Sequence, residues 1–168
     1  MWDSVRFYAD IMRKHLIWFY GYLFLLSLLL FGIFLEPTIL ICGEGRPVAS
    51  APAIPGTQFS ISFIHSVQKT PVRENLAVEE QGFCLVSTEY RSFGVGLPFL
   101  ESEGDFRMEG DSFVMDHMER HFKTLALRTG VGTQLRIFLH GREYRLYEIF
   151  PPGTKIDVFT APLYKLLV

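Results

Sequence analysis

The stretch FIHSVQKTPVREN, from Phe63, places His65 beside Ser66 and adds Glu74 nine residues after the histidine. Histidine, serine and a carboxylate are the parts of a nucleophilic triad, in which serine needs a base within hydrogen-bond reach and the base needs an orienting acid. Neighbouring residues of a strand point to opposite faces, so His65 and Ser66 form a dyad only if the strand ends between them. No G-x-S-x-G elbow is present to present the serine. His65 and Glu74 make a better pair. With a turn at Thr70-Pro71 the two flanking strands pair and bring these side chains together. Such a pair serves as part of a metal site, as a general base, or as a buried polar pair that fixes strand register. Two ligands are too few for structural zinc, and Glu89 is the candidate third. The register-fixing pair is the preferred reading.

A second cluster is HMERH, in which His117 and His121 stand four apart. Metallopeptidases of the H-E-x-x-H type share that spacing but need glutamate directly after the first histidine. Met118 occupies that place and Glu119 comes one position late, so a solvated charged edge is the default, with opportunistic metal binding behind it. The third is YRSFGVGLP, from Tyr90. Gly94, Gly96 and Pro98 do not make a phosphate loop, because no Lys-Ser/Thr and no helix start follows. A shaped turn is expected there, one where the backbone takes a positive φ or approaches a neighbour closely. Arg91 either anchors that turn or binds a carboxylate through its planar fork. Cys42 and Cys84 complete the reactive groups; their spacing leaves a disulfide open.

These groups need a scaffold, and period-two alternation supplies it. FSISFIH puts Phe59, Ile61, Phe63 and His65 on one side. FCLVSTEYR from Phe83, TLALR from Thr124 and PTILI from Pro37 read as strands. QLRIFLHGREYRLYEI reads as a hairpin: Leu135, Ile137 and Leu139 face one way, His140-Gly141 turns, and Tyr144 and Leu146 return. PPGTKIDVF is a turn followed by a last strand. Gly- and Pro-bearing clusters (GEGRP, IPGTQ, EEQG, EGD twice, RTGVGT) separate the runs, and only DHMERHF invites a short helix. The expectation is mainly β: an N-terminal transmembrane helix followed by an antiparallel β-sandwich or small β-barrel domain of about seven to nine strands.

The 168 residues suit one membrane segment and one small domain able to bury its own core. A formal net charge of −2 argues against nucleic-acid binding through a basic field. LIWFYGYLFLLSLLLFGIFL, residues 16–35, carries no charge over twenty residues. It spans about 30 Å as a helix, the thickness of a bilayer core. No small-x-small cleavage site follows Leu35, which favours an uncleaved anchor over a signal peptide. Arg6, Arg13 and Lys14 precede it while Glu36 and Glu44 follow, so residues 1–15 are expected in the cytoplasm and 36–168 outside. Trp2, Val5, Phe7, Tyr8 and Ile11 give the first segment an apolar side.

Taken together, FIHSVQKTPVREN, STEYRSFGVGLP, LRTGVGTQL, GREYRL and PPGTKI resemble the bacterial family called domain of unknown function 1850. The family's His-Ser-Val falls on His65 to Val67, its Thr-Pro-Val-x-Glu on Thr70 to Glu74, its Ser-Phe-Gly-x-Gly-Leu-Pro on Ser92 to Pro98, and its Pro-Pro-Gly-Thr on Pro151 to Thr154. The resemblance covers most of residues 57–160 and leaves out DHMERH. It implies one N-terminal hydrophobic segment, a small extracytoplasmic domain, and no catalytic role. It also implies an accessory membrane protein of solute uptake, because such proteins are often encoded beside TAXI-type receptors and fused permeases of tripartite ATP-independent periplasmic (TRAP) transporters.

The expected function is therefore that of a single-pass inner-membrane protein with its C-terminal domain in the periplasm. It would dock on a TRAP permease or TAXI solute receptor without enzymatic activity or cofactor. The expected partner surface comprises His65, Ser66, Thr70, Pro71, Glu74, Arg91, Ser92, Phe93, Gly94, Gly96 and Pro98. Two rivals stand beside it: a metal-assisted extracytoplasmic enzyme using His65, Glu74 and Glu89, and a module that captures a small carboxylate through Arg91.

Overall fold

The structure, a computed structural model, describes residues 2–94 and 97–166, and the side chains of residues 2–11 and 101 lie outside the described residues. The proposed apolar side formed by Trp2, Val5, Phe7, Tyr8 and Ile11 falls on those side chains. The chain forms two compact units. One holds the residues up to Glu36 and those from Pro162 onward. Its helix α1 (Trp2–Leu35) contains Met12–Leu35, 24 residues of mean hydropathy 2.2 and exposed throughout. By length and composition this segment fits a membrane anchor or a signal sequence.

The other unit, Pro37–Ala161, is built of antiparallel strands. They are β1 (Pro37–Gly43), β2 (Arg46–Pro52), β3 (Gln58–Ile64), β4 (Pro71–Glu79), β5 (Gly82–Tyr90), β6 (Asp105–Glu109), β7 (Ser112–Asp116), β8 (Arg120–Phe122), β9 (Thr124–Arg128), β10 (Arg136–Leu139), β11 (Arg142–Arg145) and β12 (Lys155–Pro162). Among the described residues there are thus twelve strands, more than the seven to nine expected. A four-stranded sheet runs β2-β1-β12-β9. The larger sheet runs β11-β10-β3-β4-β5-β7-β6, with β8 also paired to β5. Among the described residues the sheets do not close into a barrel.

Alternation explains how they pack. Phe59 and Ile61 of β3, Leu76 and Val78 of β4, Phe83 and Leu85 of β5, and Ile137 and Leu139 of β10 are all buried. They meet Ile39, Ile41, Leu125, Ile156 and Val158 of the smaller sheet in one core. Phe59 and Phe83 pack edge to face with centroids 5.2 Å apart, a geometry worth about 1 kcal/mol beyond burial. The opposite face of the larger sheet is polar, carrying Ser60, Ser62, Arg73, Asn75, Ser87 and Glu89. Arg73 donates to Ser60 Oγ and Asn75 to Ser87 Oγ and Glu89 Oε1, a polar lattice across three strands.

The predicted hairpin turns at His140-Gly141, both at positive φ (49° and 74°), which matches the right-handed twist of its strands. Its return strand is shorter than expected. Leu146–Ile149 form a single helical turn, α2, tied back by Leu146 N–H to Leu135 O. DHMERHF forms no helix. Asp116 ends β7, His117 turns at φ 51°, and Arg120 begins β8.

Candidate functional site

Three of the four motif segments assemble at one end of the larger sheet. Strands β3 and β4 pair with Ile64 opposite Pro71, and His65 stands at the tip. His65 N–H donates to Thr70 O and Lys69 N–H to His65 O, with Lys69 at φ 56°. The reversal is therefore longer than Thr70-Pro71. His65 is buried, and its Nδ1 accepts from the backbone N–H groups of Val67 and Gln68 at 3.3 and 3.2 Å. The imidazole caps its own turn, as Asp or Ser side chains do in shorter turns.

The second segment lies against the first. Thr70 Oγ1 and Ser92 Oγ are 2.8 Å apart. A Cβ on Gly94 would sit 3.0 Å from Cε1 and Nε2 of His65, so glycine there lets the loop backbone lie on the imidazole. Close approach, one of the two expected reasons for that glycine, is what the fold uses. Tyr90 Oη donates to Pro98 O, and Glu103 Oε2 accepts from the N–H groups of Phe99 and Leu100. Tyr90, Phe93, Phe106 and Phe113 form a connected aromatic group beneath the loop. Gly96 lies outside the described residues.

What this end exposes is mixed. Ser66, Val67, Lys69, Pro71, Arg91, Phe93, Phe99 and Leu100 are all exposed. Pro98 is buried. Arg91 makes no hydrogen bond or ion pair among the described residues. With Arg73, Glu89, Pro71, Ser62 and Ser112 it lines an open cleft of about 230 Å³. Arg91 is thus neither locked to an acid nor set at the base of an apolar pocket.

Glu74 does not join His65. It pairs with Ile61 and Thr88, four positions along the strand from the turn, which is about 13 Å. It also points to the inner face, in phase with Val72 and Leu76. Glu89 lies on the outer face. The constellation of His65, Glu74 and Glu89 required by a metal-assisted enzyme therefore does not converge. The reason is the register: the longer turn moves Glu74 away from the tip and into the space between the sheets.

There Glu74 lines a cavity of about 280 Å³ with Ile61, Leu76, Leu85, Leu125 and Arg120. Burial pushes its carboxyl above the usual range, partly opposed by the Arg120 charge. The folded protein therefore holds this proton more tightly than the unfolded chain does. Stability contributed by the group falls as pH rises from the ordinary carboxyl range through the raised one. Glu74→Gln is expected to stabilise the domain at neutral pH by about 1 kcal/mol, the scale of a buried polar group without a partner. Below the ordinary carboxyl range the gain vanishes. Urea titrations at both pH values check this, and equal effects at the two would contradict it.

His117 and His121 also part company. His117 Nδ1 lies 2.9 Å from Asp105, and His121 Nδ1 lies 2.8 Å from Glu79. His121 sits opposite Cys84 on β5, a neighbour that spacing alone did not suggest. Cys84 and Cys42 are both free thiols, on different sheets. The fourth motif, Pro151 to Thr154, folds on Thr129. That hydroxyl donates to Pro151 O at 2.6 Å and accepts from Thr154 N–H at 3.0 Å.

A family model described as "Domain of unknown function (DUF1850)" matches residues 59–146, just over half of the chain. The match holds the first three motifs and ends before Pro151. No curated protein and no solved structure matches the chain.

Proposed function

The chain belongs to the family described as domain of unknown function (DUF1850), and from that membership we propose a membrane-anchored accessory protein that docks on a TRAP-type (TAXI) solute uptake system. In this reading α1 stays in the bacterial inner membrane, with the N-terminus cytoplasmic and the β domain periplasmic. The flanking charges support the orientation: Arg13 and Lys14 on one side, Glu36 on the other. One helix cannot enclose a transport path, so a transport role requires a partner. Gly21 and Gly32 have open space about them and allow a partner helix to approach closely.

One observation carries the docking surface. Motifs that lie more than twenty residues apart in the chain are bonded to each other at one end of the sheet, where they hold Arg91 and Phe93 exposed. An exposed ring beside an unpaired guanidinium is the composition of an interface anchor. A carboxylate on the partner would complete Arg91. Capture of a free small carboxylate is less well supported, because the Arg91 cleft is open and polar instead of enclosed and apolar.

The test is recovery of the full-length protein from native membranes in mild detergent, followed by mass spectrometry. A TRAP permease or TAXI receptor is expected with the wild type. Arg91→Ala is expected to lose it, by about tenfold or more in recovery, with thermal stability within about 0.5 kcal/mol of wild type, as for an exposed side chain. A partnerless wild-type protein would sink the reading.

A further inference from the structure

At the other end of the larger sheet, three metal-ligating side chains of different elements meet on its outer face. Ala77, Cys84 and His121 are in register across β4, β5 and β8, so Cys84 and His121 are direct cross-strand neighbours. Glu79 follows Ala77 by two positions and therefore shares its face. The Cys84 Sγ, a Glu79 carboxylate oxygen and a His121 ring nitrogen all lie within 4.8 Å of one another. We propose that Glu79, Cys84 and His121 form a zinc-binding site with three protein ligands and a fourth position open to solvent.

The donor set selects the metal. A thiolate with an imidazole disfavours Mg²⁺ and Ca²⁺, which take oxygen ligands, and suits Zn²⁺. Bonds of about 2.0–2.3 Å put tetrahedral zinc ligands about 3–4 Å apart. The present spacing needs only a small closure. Two of the three side chains can supply it, since His121 and Glu79 are 62% and 41% exposed. The sulfur is available: its contacts with Leu85 O and Met118 O are 3.6 and 3.8 Å, weak for a thiol. The domain has its own hydrophobic core, so the metal is not needed for folding, unlike that of a zinc finger. Three ligands with one open position is the pattern of zinc that also binds water or an exchangeable ligand.

The test uses the untagged full-length protein in detergent, titrated with Co²⁺ as a spectroscopic stand-in and then with Zn²⁺. A saturable near-ultraviolet thiolate-to-cobalt band at one ion per chain is expected, displaced by Zn²⁺. Cys84→Ser abolishes the band. His121→Ala and Glu79→Gln weaken Co²⁺ binding by at least about tenfold, the lower end of what loss of even a ligand's hydrogen-bonding partner costs. His117→Ala, which alters the histidine beside Asp105, leaves binding unchanged. Absence of a thiolate band in the wild type would overturn the proposal. So would a band that persists in Cys84→Ser, or wild-type affinity in His121→Ala. Because His121 is exposed, its variant folds and decides the question even if Cys84→Ser does not.

Discussion

Gly82→Ala is expected to destabilise the β domain by about 3–5 kcal/mol, in the range of backbone strain combined with a steric clash. Gly82 starts β5 at φ +123°, a conformation that a side chain opposes. A Cβ there would lie 2.1 Å from Phe122 O and 2.9 Å from Lys123 Cα. Both are backbone atoms, so no rotamer change relieves the contact. Strand β8 must move, and its pairing of Phe122 with Phe83 and of His121 with Cys84 goes with it. Urea unfolding measures the loss, and hydrogen exchange at Arg120 to Phe122 reports where it occurs. A cost below about 1 kcal/mol with unchanged protection would show that β8 is not held there.

The second large effect concerns His65. His65→Ala removes the acceptor for two backbone N–H groups, each worth roughly 0.5–1.5 kcal/mol net. It also removes the ring on which Gly94 rests. A loss of about 2–3 kcal/mol is expected once the lost packing is included. His65→Asn restores part of it, since an amide oxygen can accept in the same turn. The loop bearing Arg91 and Phe93 should lose order in the alanine variant, so partner recovery should fall more than stability alone explains. If alanine and asparagine behave alike, the capping role is wrong.

These effects indicate what the amino-acid pattern disclosed. Strands with clean alternation are readable, because a buried inner face and a polar outer face demand period two: β3, β9 and β10 follow it in sequence, while β5, buried at nearly every position, is legible only from its strand-favouring residue types. The His140-Gly141 turn was readable from its residue types. Strand β2 was hidden by Pro47 and Pro52, which an edge strand tolerates and a central one does not. Strands β6 to β8 were hidden because β6 is exposed along its whole length and β8 has three residues. β6 alternates, with Phe106 and Met108 between polar residues, but over only five positions, and β8 is too short to show a period.

The site divides in the same way. The segments around His65 and Ser92 stand out by residue type, and the fold brings them together through Thr70, Ser92 and Gly94. The pairing of His65 with Glu74 failed on register. One hydrogen-bonded turn from His65 to Lys69 moves Glu74 opposite Ile61 and exchanges a surface role for a cavity. The meeting of Cys84, His121 and Glu79 depends on which strands pair across 37 residues of chain from 84 to 121, and spacing along one chain carries no such information. Each residue was visible; their adjacency was not.

The most direct test of the docking surface is a photo-crosslinking residue placed at position 93 in the full-length protein in native membranes. A control is placed at position 142, on the edge strand β11 of the same sheet. An adduct with a TRAP permease or TAXI receptor is expected from position 93 and none from 142. No adduct from 93, or the same adduct from both positions, would contradict it.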